Sequence, residues 1–340
     1  MRKVISLFCA LFVMTFAYSQ RIFATLQHEG NVSVYYGQYA LSQAHSAAVA
    51  GDIITLSPGM FNAVNITKNI TIRGAGMFAD TAAGTTPTYI SGQFYMRAPE
   101  DAAHFLTMEG LYFMNDVKFD TLYNPQFSKC LFHTTLKHYD TYSSSSYMNN
   151  AVIVNCIVTN WFNANYNSRW YATGTVFQNS VIISYNGSNI GSPDILTNCI
   201  VNFGAPYNAD TKTINNCILF YYTNSSSSGS ADDAITSWYS IGITSGGNYF
   251  HSSMLTTHNL YNYNSFSAVF KYFNGTYNEG TSFELQDSIA TTRLGNDGTQ
   301  IGIYGGAHPF NPRVANYKIT VPSESNPSGQ LPVTIQAIGD

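Results

Sequence analysis

One short phrase constrains this chain more than anything else in it. TNCIV stands at Thr197–Val201, VNCIV at Val154–Val158 and NNCIL at Asn215–Leu219, with QNSVI at Gln178–Ile182 and SKCLF at Ser128–Phe132 as close variants. Taking the residue after the Asn as a marker, and setting Gly110 of MEGLYF in the same slot, the markers are Gly110, Cys130, Cys156, Ser180, Cys199 and Cys217. They lie 20, 26, 24, 19 and 18 residues apart. A floor with a variable excess is the spacing of a solenoid whose coils carry loops of unequal length. Short runs rich in Val, Ile and Thr flank each phrase, and these read as strands rather than helices.

Strand, one-residue bend, strand predicts a corner of a right-handed parallel β-helix. The bend residue must accept a left-handed backbone, which Asn does better than other non-glycine residues. Asn155, Asn179, Asn198 and Asn216 are therefore expected to stack, each side chain bonding to the next coil, with the following Cys or Ser pointing inward. Adjacent coils stand about 4.8 Å apart, and stacked parallel side chains hold their Cβ atoms slightly too far apart for a disulfide. Cys130, Cys156, Cys199 and Cys217 are expected as buried thiols acting as small apolar residues. No C-x-x-C spacing suggests a metal.

Composition supports an extended β-protein with an uncharged polar surface. Only 10% of residues are charged while 15% are aromatic. The balance is acidic, 15 basic against 19 acidic residues, which disfavours nucleic acid as a partner. Residues 1–19 carry Arg2 and Lys3, an apolar run from Val4 to Phe16, and Ala17 and Ser19 before Gln20. This predicts a cleaved signal peptide, and a secreted, periplasmic or cell-surface protein. No other run is long enough to suggest a transmembrane segment.

Tyr39–Asp52 has Leu41, Ala44 and Ala48 on one helical face and Gly51 as a stop, predicting a short helix that caps the first coil. His45 in it reads as a surface or capping residue. Strands are expected near Ile53–Leu56 and Ile70–Ile72. With GDIITLSPGMF, NITIRGAG and the Asn-Cys coils, the chain resembles secreted β-helix proteins of the pectate-lyase-like superfamily. Its DGTQIGIYGGAHPF stretch, Asp297–Phe310, is similar to the end of uncharacterised members exported by Bacteroidetes-type bacteria. The resemblance covers roughly residues 35–310 of a β-helix expected over residues 20–310, and leaves the activity open among lyases, hydrolases, esterases, binding proteins and adhesins. Residues 311–340 hold two alternating stretches, Tyr317–Val321 and Leu331–Ala337, expected as a terminal strand pair.

The chemistry is sparse. Asp116, Asp120, Asp140, Asp194 and Asp210 are scattered, whereas calcium needs several oxygen ligands together. Asp232-Asp233 lacks the partner motifs of a polygalacturonase, and no histidine pair has metal-ligand spacing. The densest titratable cluster is LKHYDTY. Lys137, His138 and Asp140 there, with Arg169 from the next long loop, are the catalytic candidates, and Trp161, Trp170 and Tyr171 are the expected sugar-stacking residues. The sequence thus predicts a monomeric, exported β-helix that engages an acidic or neutral polysaccharide. A uronic-acid polysaccharide lyase acting by β-elimination and a non-catalytic adhesin are the alternatives. No metal and no cofactor are expected, calcium being the exception for a lyase.

Overall fold

The structure, a computed structural model, describes residues 22–80, 85–139, 146–163, 170–187, 194–203, 212–220, 235–243, 259–313, 316–320 and 334–338. Its body is a parallel β-helix. Among the described residues, an eleven-stranded sheet and a thirteen-stranded sheet run along its length, and a three-stranded sheet lies between their ends. Neighbouring strands pair in parallel, as in Val152–Val154 with Val176–Gln178 and Ile157–Asn163 with Val181–Gly187.

The corners are where the repeated phrase placed them. Asn155, Asn179, Asn198 and Asn216 have φ between 46° and 54°, and the thiol or hydroxyl after each bend is fully buried. That inward residue has a bonding role as well as a small size. The N–H of Cys130 donates to Cys156 Sγ at 3.4 Å, and that of Cys199 to Cys217 Sγ at 3.3 Å. Ser180 and Ser240 accept in the same way from the N–H groups of Cys156 and Cys217. A buried N–H left without an acceptor is costly, so the slot selects a small side chain that also accepts a hydrogen bond. Cys130, Cys156, Cys199 and Cys217 are all free thiols.

Two details correct the expected pattern. Gly110 is itself a bend residue, at φ +67°, so Leu111 and not Gly110 occupies the slot of Cys130. The ladder also extends further than the phrase, through Tyr239 and Asn259 at φ +51°, where Ser240 and Leu260 take the buried position.

Helix α1 (Ala40–Ala47) covers the first coil and buries Leu41 and Ala44, with Ala48 buried just beyond its end. Lys68 of the first coil donates to the carbonyls of His45, Ser46 and Ala48 at 2.6, 3.0 and 2.7 Å, satisfying the orphan acceptors at the end of the helix. Beside the helix an antiparallel hairpin, Phe23–His28 with Asn31–Tyr36, extends the first sheet; nothing in the sequence marked it.

His45 is buried rather than superficial, and its Nε2 accepts the Thr67 N–H at 3.2 Å. Burial, then the Lys68 charge, lower its pKa from the ordinary 6.5. Its contribution is present above that value and is lost as pH falls through the lowered one. His28 behaves oppositely. Its Nδ1 lies 2.8 Å from Asp52 Oδ1, and that bond raises its pKa. The contribution of His28 is complete below 6.5 and is lost as pH rises through the raised value. Hydrogen-exchange protection of the cap, corrected for intrinsic rates, is therefore expected to peak near the ordinary histidine pKa. A steady climb or fall across the histidine range would overturn one of the two assignments.

The closing stretch does something the sequence did not suggest. Residues 264–310 fold back as a strap over the outer face of the second sheet and build a second core there. Phe266, Phe270, Phe273, Phe283, Ile301 and Ile303 pack with Leu131, Ile157, Val181, Ile200 and Ile218. Helix α2 (Asp287–Thr292) lies within the strap. The bend asparagines, expected to bond from coil to coil, serve as its rail. Asn179 Nδ2 donates to the carbonyls of Ile303 and Gly305 at 2.9 and 2.7 Å, and Asn216 exchanges two bonds with Asn296. Coil-to-coil bonding of asparagines is found at another corner, where Asn150 Nδ2 donates to Asn124 Oδ1 at 3.2 Å.

Asn316–Thr320 and Thr334–Ile338 form the expected antiparallel strand pair. No helix among the described residues is long and apolar enough to cross a membrane.

Candidate functional site

Along the second sheet, four three-residue segments stack in register: Asn65-Ile66-Thr67, Tyr95-Met96-Arg97, Lys118-Phe119-Asp120 and Lys137-His138-Tyr139. Strand side chains alternate between faces. The middle residue of each, Ile66, Met96, Phe119 or His138, is buried in the coil, and the outer two face away from it. The outward columns enclose a groove of about 400 Å³ lined by Tyr95, Arg97, Lys118, Asp120 and Tyr139, with Asn65 and Thr67 at one end.

The rings of Tyr95 and Tyr139 meet edge to face, 5.2 Å apart at 79°. Lys118 comes from the coil between them and holds its ammonium 5.9 Å from each ring centroid, at the outer limit of a cation–π contact. Arg97 Nε lies 3.3 Å from Asp120 Oδ2, and Lys137 Nζ lies 3.0 Å from Asp116 Oδ2. Burial raises the pKa of Asp116, but hydrogen bonds from Lys137 and Thr134 outweigh it and leave the carboxyl below its ordinary value. Lys118 makes no ion pair among the described residues.

The sequence candidates separate. Lys137 is on the outward face beside this groove. His138, one residue on, points into the coil and is 3% exposed, so the pair cannot share a site. Trp161 is not a groove residue: it is fully buried, stacked on Phe119 and edge-on to Phe177. Trp170 and Tyr171 begin a strand of the third sheet in register with Ser146 and Tyr147. Asp140 and Arg169 lie outside the described residues, as do Asp210, Asp232 and Asp233. Asp194 is buried and accepts the Tyr185 hydroxyl at 2.5 Å. No group of three or more His, Cys, Asp or Glu side chains able to hold a metal occurs among the described residues.

No family model, curated protein or solved structure matches this chain. The site must therefore be judged on its own chemistry. Tyr95, Arg97 and Lys118 went unmarked in the sequence because no spacing rule joins them. The available signal was the outward-inward-outward pattern of YMR, KFD and KHY, legible only once the coils are in register.

Proposed function

We propose that this protein is an exported polysaccharide-binding β-helix of the pectate-lyase-like kind, and that the Tyr95–Lys118–Tyr139 groove is where it holds the chain. The observation carrying this is Lys118, an ammonium set between two tyrosine rings on a concave face and, among the described residues, in no ion pair. Tyrosine rings offer apolar faces for sugar C–H groups. Lys118 and Arg97 supply charge-assisted donors for a carboxylate or sulfate, and Asp120 accepts from hydroxyls. The groove runs across successive coils, the direction in which a linear glycan meets repeated contacts.

Affinity electrophoresis of the mature chain through gels cast with acidic and neutral polysaccharides tests this. Retardation by an acidic polysaccharide is expected, weakening with salt. A charge-assisted bond contributes about 1.5–3 kcal/mol, so Lys118→Ala is expected to weaken retention by about 10- to 100-fold. Tyr95→Ala should act in the same direction. Wild-type retention in both variants would sink the assignment. Unsaturated-uronide absorbance followed on the same samples would establish a lyase. Neither retention nor absorbance would leave the adhesin reading.

A further inference from the structure

We propose that a second pocket, around the corner from the groove, binds one neutral, hydroxyl-rich ring of monosaccharide size. It is a cavity of about 250 Å³ lined by Asn69, Thr71, His104, Phe105, Thr107 and Gln126, with Gly51 on one wall. That lies just under the volumes of pockets for drug-sized ligands, about 300–1,000 Å³. The inference stands apart from the groove reading, since none of these residues lines the groove.

Three features make this a built site. Thr71, Thr107 and Gln126 open successive strands of the first sheet in direct register, giving a ladder of hydroxyl, hydroxyl and amide at about 4.8 Å steps. They stand on rigid strands rather than on a loop.

The second feature is the fixing of His104. Its Nδ1 lies 2.9 Å from Asp101 Oδ2, while Asp101 Oδ1 accepts the Ala103 N–H at 2.8 Å. A carboxylate accepts, so Nδ1 carries the proton and Nε2 is left as an acceptor when the ring is neutral. The ring rests on the bare face of Gly51, where a Cβ would come within 2.7 Å of it. Gly51 is held at φ +89°, so the same glycine that ends the capping segment also seats the histidine.

The third feature is the sparse charge of the lining: among the described residues no Lys, Arg, Asp or Glu contributes to it, and the neighbouring Asp101 carboxylate is already engaged by His104. An anionic ligand would find no Lys or Arg in that lining to pair with. Uncharged donors and acceptors around Phe105 suit ring hydroxyls and a C–H face.

The test follows the His104 ring in ¹⁵N-histidine spectra of the mature chain while glucose, galactose, mannose and xylose are each titrated into the millimolar range. At least one is expected to shift the His104 signal saturably. Thr107→Val with Gln126→Leu, which keeps the strands, should weaken that binding at least about 10-fold, or 1.4 kcal/mol. Lys118→Ala should leave it unchanged. The proposal is overturned if no neutral sugar shifts His104 or if the double variant binds like wild type.

Discussion

Gly305→Ala is expected to detach the strap from the solenoid. A Cβ at this position would lie 1.7 Å from the Gln300 carbonyl oxygen and 2.8 Å from Asn198 Nδ2. The first contact is with backbone and cannot be relieved by a side-chain rotation, so the turn from Gln300 to Gly306 has to open. That turn carries the two carbonyls held by Asn179 and places Ile301 and Ile303, 0% and 1% exposed, against the second sheet. Releasing two buried isoleucines costs about 3–6 kcal/mol at about 1.5–3 kcal/mol each. The two amide bonds add about 1 kcal/mol apiece. The strap is a separate layer, so the loss should first appear as local undocking. Limited proteolysis should cut within residues 264–310 well before the coils unfold in urea. Wild-type resistance to protease and an unchanged urea midpoint would show that the strap does not depend on this approach.

What was legible in the sequence depended on how local its physical cause was. A left-handed bend followed by a small buried acceptor is a two-residue requirement, so the Asn-Cys phrase announced the corners, the parallel coils and the buried thiols directly. The capping helix was also visible, because its apolar face and its glycine stop lie within one short window. The strap was not. Asn179 bonds to carbonyls more than 120 residues away, and a glycine required for close approach looks in sequence like any turn glycine. Groove residues failed for a related reason. Tyr95, Lys118 and Lys137 align only through the register of three coils whose loops differ in length. Neighbours in the string, such as Lys137 and His138, looked like one cluster, although the two-residue period of a strand sends them to opposite faces.

Trp161→Ala tests the largest displacement between the expected and the observed site. As a sugar-stacking residue, Trp161 would contribute to binding and little to stability. The structure requires the reverse. Its ring fills the coil interior with Phe119 at 6.4 Å and Phe177 at 5.3 Å, and none of it is exposed. In the sequence Asn160–Gly174 reads as a long loop, whereas the strand Ile157–Asn163 runs through Trp161. Val158 and Trp161 both face inward, an odd separation that strict alternation forbids. The adjoining strand is irregular at this point, with a register shift between Phe132 and Thr135, and such a break reverses the parity of every side chain after it. Even with the strand recognised, strict alternation from Cys156 would put Trp161 outside, whereas it is inside. Truncating a buried tryptophan removes its transfer free energy and leaves a cavity, so Trp161→Ala is expected to cost about 3–5 kcal/mol in urea unfolding. Trp161→Phe should retain much of the lost stability by keeping an aromatic ring against Phe177. Below the unfolding transition, retention on an acidic polysaccharide gel should match wild type, because the groove wall is formed by Tyr95 and Tyr139. Loss of retention at unchanged stability would return Trp161 to the surface and would refute the inward placement of this strand.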